Sequence, residues 1–121
     1  MDNIRVLIVD DEEELAKTIA ERLEIRGIKC RTVSESDKAI DLIKSQTPDV
    51  VVLDLMMPGI GGLGILKQIK SMEINIPVIL LTGYGSNEMT IEGINLGAFD
   101  YVLKPCNLDD LITKIQEAFK S

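Results

Sequence analysis

Histidine and tryptophan are absent from the 121 residues, and cysteine, tyrosine and phenylalanine occur only twice each. Without imidazole there is no Ser-His-Asp hydrolase, no histidine-ligated metal and no histidine acid–base step. Cys30 and Cys106 are far apart and match no zinc-ligand spacing, so reduced thiols in a cytoplasmic protein are the expected state. Aromatics make up 3% of the chain, which leaves the core to Ile, Leu, Val and Met. At 45% hydrophobic residues, that core is sufficient for one domain spanning residues 1–121. Basic residues are also few: 13 Lys and Arg face 20 Asp and Glu, for a net charge of −7. Such a surface argues against direct nucleic acid binding and against an anionic membrane. No apolar run reaches the roughly 18 residues of a membrane span, and the start Met1-Asp2-Asn3 does not read as a signal peptide, so none is expected. Gly59, Gly61 and Gly62 read as a flexible loop, but no Gly-Lys-Ser/Thr follows to make a P-loop.

The chain's most informative stretch is the apolar run Val50-Val51-Val52-Leu53, which leads straight into Asp54. Such a run reads as a strand buried on both faces of a parallel sheet. An acid at its last position lies at the carboxyl edge, where open α/β sheets bind ligands. The same pattern recurs along the chain. Ile4–Val9 predicts a first strand running into Asp10 and Asp11, and Lys29–Val33 a second. Val78–Leu81 predicts a fourth strand ending at Thr82 with Gly83 and Gly85 after it, and Asp100–Leu103 a fifth ending at Lys104-Pro105.

Helical stripes lie between these runs. The first carries Leu15, Ala16, Ile19, Ala20 and Leu23 and ends at Gly27; the second is capped by Ser36 and carries Ala39, Ile40 and Ile43. A third runs from about Gly64 to Met72 with Ile65, Leu66 and Ile69 inward. The fourth, about Asn87 to Leu96, carries Met89, Ile91 and Ile94, and Gly93 should make it the weakest and easiest to move. Asn107 and Asp110 resemble a capping box for the last helix, with Leu108, Leu111, Ile112, Ile115 and Phe119 inward. Five strands alternating with five helices imply a parallel sheet built from right-handed βαβ units. Glu12, Glu13 and Glu14 suit a helix's first turn, where the macrodipole favours acids.

If the first, third, fourth and fifth strands are neighbours, their ends deliver Asp10, Asp11, Asp54, Thr82 and Lys104 to one patch. Carboxylate pairs about 5 Å apart repel by on the order of 3 kcal/mol at an effective dielectric near 20. A hard divalent cation relieves this, and Mg²⁺ suits few carboxylates with waters and a phosphate. The set then fits phosphoryl transfer onto a carboxylate. Asp54 attacks, Mg²⁺ and Lys104 neutralise the phosphoryl oxygens, and Thr82 donates a hydrogen bond to one of them.

Val9-Asp10-Asp11-Glu12, Leu53-Asp54-Leu55-Met56-Met57-Pro58-Gly59, Leu81-Thr82-Gly83 and Asp100-Tyr101-Val102-Leu103-Lys104-Pro105 together resemble the receiver domain of two-component response regulators, end to end. The resemblance implies a flavodoxin-like doubly wound sheet of order 2-1-3-4-5. It implies Mg²⁺ on Asp10, Asp11, Asp54 and the Met56 backbone carbonyl, and a cis Lys104-Pro105 peptide. The phosphoryl donor it implies is a phosphohistidine on a sensor histidine kinase or phosphotransfer protein. An effector domain or downstream protein and a phosphorylation-dependent homodimer are further implied partners. The implied switch moves Thr82 toward the phosphoryl group and turns Tyr101 inward, shifting the face formed by the fourth helix, fifth strand and fifth helix. Departures are Gly61, where the family often has an acid, Cys106, where an aromatic is common, and a last helix with Lys114 and Lys120 but no Arg. That helix puts the paired-charge dimer face of one subfamily in question.

Three competing readings share the architecture. An aspartyl-phosphate phosphatase would need a second acid at Met56. A flavin or nucleotide module would meet repulsion from Asp10 to Glu14. A docking module that is never phosphorylated would have no use for the intact residue set. The chain is therefore expected to act as a switch rather than as an enzyme on outside substrates.

Overall fold

Five short strands, of which the three central ones are apolar runs, each deliver their last residue to the same edge. The structure is a computed structural model describing residues 3–83 and 87–121. The strands are β1 (Arg5–Val9), β2 (Lys29–Val33), β3 (Val50–Asp54), β4 (Val78–Thr82) and β5 (Asp100–Leu103). They pair in parallel in the order β2-β1-β3-β4-β5, as the resemblance implies. The helices are α1 (Glu13–Ile25), α2 (Ser36–Ser45), α3 (Gly61–Ser71), α4 (Glu88–Asn95) and α5 (Leu108–Lys120).

Alternation along the central strands divides the core into two layers. Ile8, Val52, Ile79 and Leu81 pack with Ile19 and Leu23 of α1 and Leu111 and Ile115 of α5. Leu7, Val51, Leu53 and Leu80 pack on the other face with Ile43 of α2 and Ile65, Leu66 and Ile69 of α3. With helices on both faces, β3 and β4 are buried at every residue. Each fully buried aliphatic side chain contributes about 1.5–3 kcal/mol. That aliphatic packing fixes β3 firmly enough to hold a buried acid at its end. Among the described residues, no helix is long and apolar enough to cross a membrane.

Three local expectations are corrected. Helix α3 begins at Gly61, so Gly61 and Gly62 belong to the helix rather than to a loop. The reason is steric: a Cβ on Gly62 would lie 2.4 Å from the Asp54 carbonyl oxygen and 2.6 Å from Leu55 Cα. The absent side chain lets α3 start directly against the loop after β3. In α4, Thr90 and Gly93 are the buried residues, while Ile91 and Ile94 are exposed. A Cβ on Gly93 would meet Leu80 Cδ1 at 2.5 Å, so α4 approaches β4 on its small-residue face. For α2 the N-cap is Glu35, without a side-chain cap, and Ser36 Oγ instead donates to the Pro58 carbonyl at 3.4 Å. Asn107 does cap α5, accepting from the Asp110 N–H at 3.0 Å. The expected turn glycine Gly85 lies outside the described residues.

Candidate functional site

Strand register assembles the site. Val9 pairs with Leu53, so the next residues, Asp10 and Asp54, emerge side by side at the carboxyl edge. Asp54 pairs with Leu81 and Thr82 with Leu103, so Thr82 and Lys104 each follow one step further along the edge. The Lys104 N–H donates to the Thr82 carbonyl at 2.8 Å, extending the ladder past β5. The Lys104-Pro105 peptide is cis.

The two buried carboxylates each bond to the loop that follows them. The Glu12 N–H donates to Asp10 Oδ1 at 2.9 Å, and the Met56 N–H donates to Asp54 Oδ1 at 3.1 Å. These Asx-type bonds shape both loops and fix both side chains. Asp10, Asp11 and Asp54 offer one oxygen each within 4.8 Å of one another, with Asp10 and Asp54 buried and Asp11 exposed. Asp10 Oδ2 is shut away from solvent without a hydrogen bond of its own among the described residues. The Lys104 ammonium is its nearby counter-charge, 3.2 Å from Asp10 Oδ2, 3.6 Å from Asp54 Oδ1 and 3.0 Å from Glu12 Oε1.

These contacts shift the acidities in opposite senses. Burial pushes the Asp54 carboxyl up to about 6, Asp10 adds to the rise, and the Met56 N–H and Lys104 pull it back. Burial alone would lower the Lys104 ammonium, but Glu12, Asp10 and Asp54 together hold it above its ordinary value. One ammonium therefore serves three carboxylates, and an oxygen-lined gap remains whose chemistry suits a hard divalent cation. The donor set fits Mg²⁺: carboxylate oxygens, no sulfur or imidazole donor among the described residues of the site, and a buried Asp10 oxygen whose partner among them is the Lys104 ammonium.

Thr82 and Thr90 are both buried, and the Thr90 hydroxyl donates to Thr82 Oγ1 at 3.3 Å, joining the site to α4. Tyr101 is half-buried at the edge of the core, with the Lys114 ammonium 5.6 Å from its ring centroid. Lys114 also donates to the Tyr101 carbonyl at 2.8 Å and pairs with Asp100 at 3.4 Å, so its charge is satisfied within the chain. Both thiols are half-buried and free. Burial pushes Cys30 up to about 12 and raises Cys106 as well, which leaves them poor nucleophiles.

The structure thus brings Asp10, Asp11, Asp54 and Lys104 together and places Thr82 on the adjoining strand end, with Tyr101 on β5. Sequence reasoning missed Glu12, Gly62 and Thr90. Glu12 was absorbed into the acidic first turn of a helix. Thr90 had one available signal: it stands three residues after Asn87, the N-cap that accepts its N–H at 3.1 Å.

Comparison with known proteins gives one consistent result. The family described as Response regulator receiver domain matches residues 6–116. Regulatory protein AtoC of Escherichia coli K12 is 37% identical over 116 residues, 96% of this chain and 25% of that protein. The receiver domain of the Francisella response regulator 1452 superposes with a TM-score of 0.90 at 36% identity, covering 98% of each chain. The receiver domain of NtrX from Brucella abortus gives 0.89 at 32% identity, covering 96% of this chain and 98% of that one. The chain spans from a quarter to about half the length of the first curated relatives it matches.

Proposed function

The chain belongs to the response regulator receiver domain family, and we propose that it is a phosphorylation-driven signalling switch with Asp54 as the acceptor. The observation that carries this reading is the convergence of Asp10, Asp11 and Asp54 within 4.8 Å, with Lys104 shared between Asp10 and Asp54. Asp10, Asp11, Asp54 and the Met56 backbone carbonyl would hold Mg²⁺. Bound there, the ion supplies positive charge against carboxylate and phosphoryl oxygens alike.

The chain's own residues account for the rest. An Asp54 carboxylate oxygen attacks phosphorus. The donor's bond to phosphorus breaks, and its electron pair leaves with the donor. Burial pushes the Asp54 carboxyl up to about 6, while the Met56 N–H and Lys104 favour the carboxylate form that attacks. The Met56 N–H orients the attacking carboxylate, and Lys104 meets charge on the transferred group. The chain has no histidine, so the phosphoryl group comes from outside, from a sensor histidine kinase or phosphotransfer protein.

The new acyl phosphate adds roughly −1.5 to −2 charges at the rim. Thr82 turns its hydroxyl toward it and exchanges its bond with Thr90, which passes the event to α4. Tyr101 then turns inward and alters the α4–β5–α5 face, where Ile91, Ile94 and Leu103 are exposed. An effector domain or downstream protein reads that face; a phosphorylation-dependent homodimer there would pack on its exposed apolar residues, since Lys114 is already paired with Asp100. The setting is the cytoplasm. The chain catalyses only its own phosphorylation and dephosphorylation: Met56, exposed and apolar, stands where a phosphatase would need a second acid.

The test is incubation with acetyl phosphate, with and without Mg²⁺, followed by intact mass. The expected result is one added phosphoryl group that requires Mg²⁺ and is lost in Asp54→Asn. Labelling that persists in that variant refutes Asp54 as acceptor.

A further inference from the structure

The shortest of the three Lys104 contacts goes to an acid outside the candidate cation-binding set. The Lys104 ammonium lies 3.0 Å from Glu12 Oε1, against 3.2 Å from Asp10 and 3.6 Å from Asp54. Glu12 is the N-cap residue of α1, and its N–H is tied to Asp10 Oδ1 at 2.9 Å, so its backbone position is set by the site itself. Its side chain stays largely exposed, at 61%. Were Asp10 and Asp54 to turn their charge toward a cation, Glu12 would be, among the described residues, the carboxylate left for Lys104.

We propose that Glu12 is a positioning residue: it holds Lys104 in the resting switch and competes with the phosphoryl oxygens for that ammonium. The inference rests on the phosphoacceptor reading of the site. An ammonium has three N–H donors, and three carboxylates already lie within ion-pair reach of Lys104, so a phosphoryl oxygen takes its bond at the expense of one of them, and Glu12 is the one outside the cation-binding set. Glu12 thereby lowers the gain in free energy on phosphorylation by the worth of the ion pair it gives up. It raises the threshold for switching without touching the acceptor.

The experiment is titration with beryllofluoride, a non-covalent phosphoryl mimic, at saturating Mg²⁺, followed by amide chemical shifts, in the parent chain and three variants. Glu12→Gln removes the charge at equal length. Glu12→Asp keeps the charge on an arm one methylene shorter. Glu13→Gln removes an equal charge from the neighbouring exposed acid. Glu12→Gln and Glu12→Asp should both tighten beryllofluoride binding about two- to fivefold, the range of a partly exposed ion pair, and Glu13→Gln should leave it near the parent value. A parent chain that binds no beryllofluoride overturns the phosphoacceptor reading and this inference with it. Binding by the parent with no gain in Glu12→Gln, or with an equal gain in Glu13→Gln, overturns the role of Glu12 alone.

Discussion

Replacing Asp54 with Asn should make the metal-free domain more stable at neutral pH. The substitution keeps the shape and the Oδ1 that accepts the Met56 N–H, but removes a charge from a buried acid cluster. Lys104 keeps its two shorter contacts, to Glu12 and Asp10. Burial raises the Asp54 carboxyl from 3.8 to about 6, so the native state binds this proton more tightly than the unfolded chain does. Its contribution to stability is present below about pH 4 and is lost as pH rises through about 6. Above that, the parent carries a penalty of up to about 3 kcal/mol, reduced to about 1–2 kcal/mol by solvent screening at the rim. Urea unfolding in chelator, followed by far-ultraviolet circular dichroism, measures the difference between the two proteins. The variant should be more stable by about 1–2 kcal/mol at about pH 7.5, with most of that gap gone at about pH 4.5. Saturating Mg²⁺ should narrow the gap at the higher pH by stabilising the parent through mass action. A variant no more stable than the parent, or a gap that does not change with pH, would refute the charge-crowding argument.

Gly62→Ala should cost about 1–3 kcal/mol by overpacking, because the new methyl meets backbone at Asp54 and Leu55; urea midpoints measure it, and amide shifts at Asp54 to Met56 should move with it. Thr90→Val should leave Mg²⁺ affinity unchanged and alter how α4 amide shifts respond to beryllofluoride; an unchanged response would remove the Thr82–Thr90 bond from the switch. Lys104→Ala should retain Mg²⁺ binding and lose the beryllofluoride-induced shifts at Tyr101; unchanged shifts would exclude Lys104 from the mechanism.

The strand–helix alternation and the strand-end acids were legible because they depend on residue type at short range. Val50 to Leu53 can be little else than a strand covered on both faces, and all of it is buried. What was not legible depends on distance between segments. Gly61 and Gly62 look like loop breakers from propensity alone, yet both lie in the first turn of α3, and the second must lack a side chain because a Cβ there would lie 2.4 Å from the Asp54 carbonyl oxygen. Ile91 and Ile94 look like core, yet they face outward because Gly93 is the residue that fits against Leu80. Glu12 looks like a macrodipole acid, and only the crossing from α1 to the end of β5 reveals it as a partner of Lys104. Pairing of Lys114 with Asp100 was likewise invisible, and it bears on the doubt over the dimer face: that charge is already met within the chain.

The central claim is that Asp10, Asp11 and Asp54 leave a gap that a divalent cation fills. Isothermal titration of Mg²⁺ into the parent, Asp10→Asn and Asp54→Asn tests it most directly. The account predicts one ion bound by the parent and weakening by about tenfold or more in each variant, since a lost interaction of about 1.4 kcal/mol is a factor of ten. A parent that binds no Mg²⁺, or variants that bind it as the parent does, would contradict it.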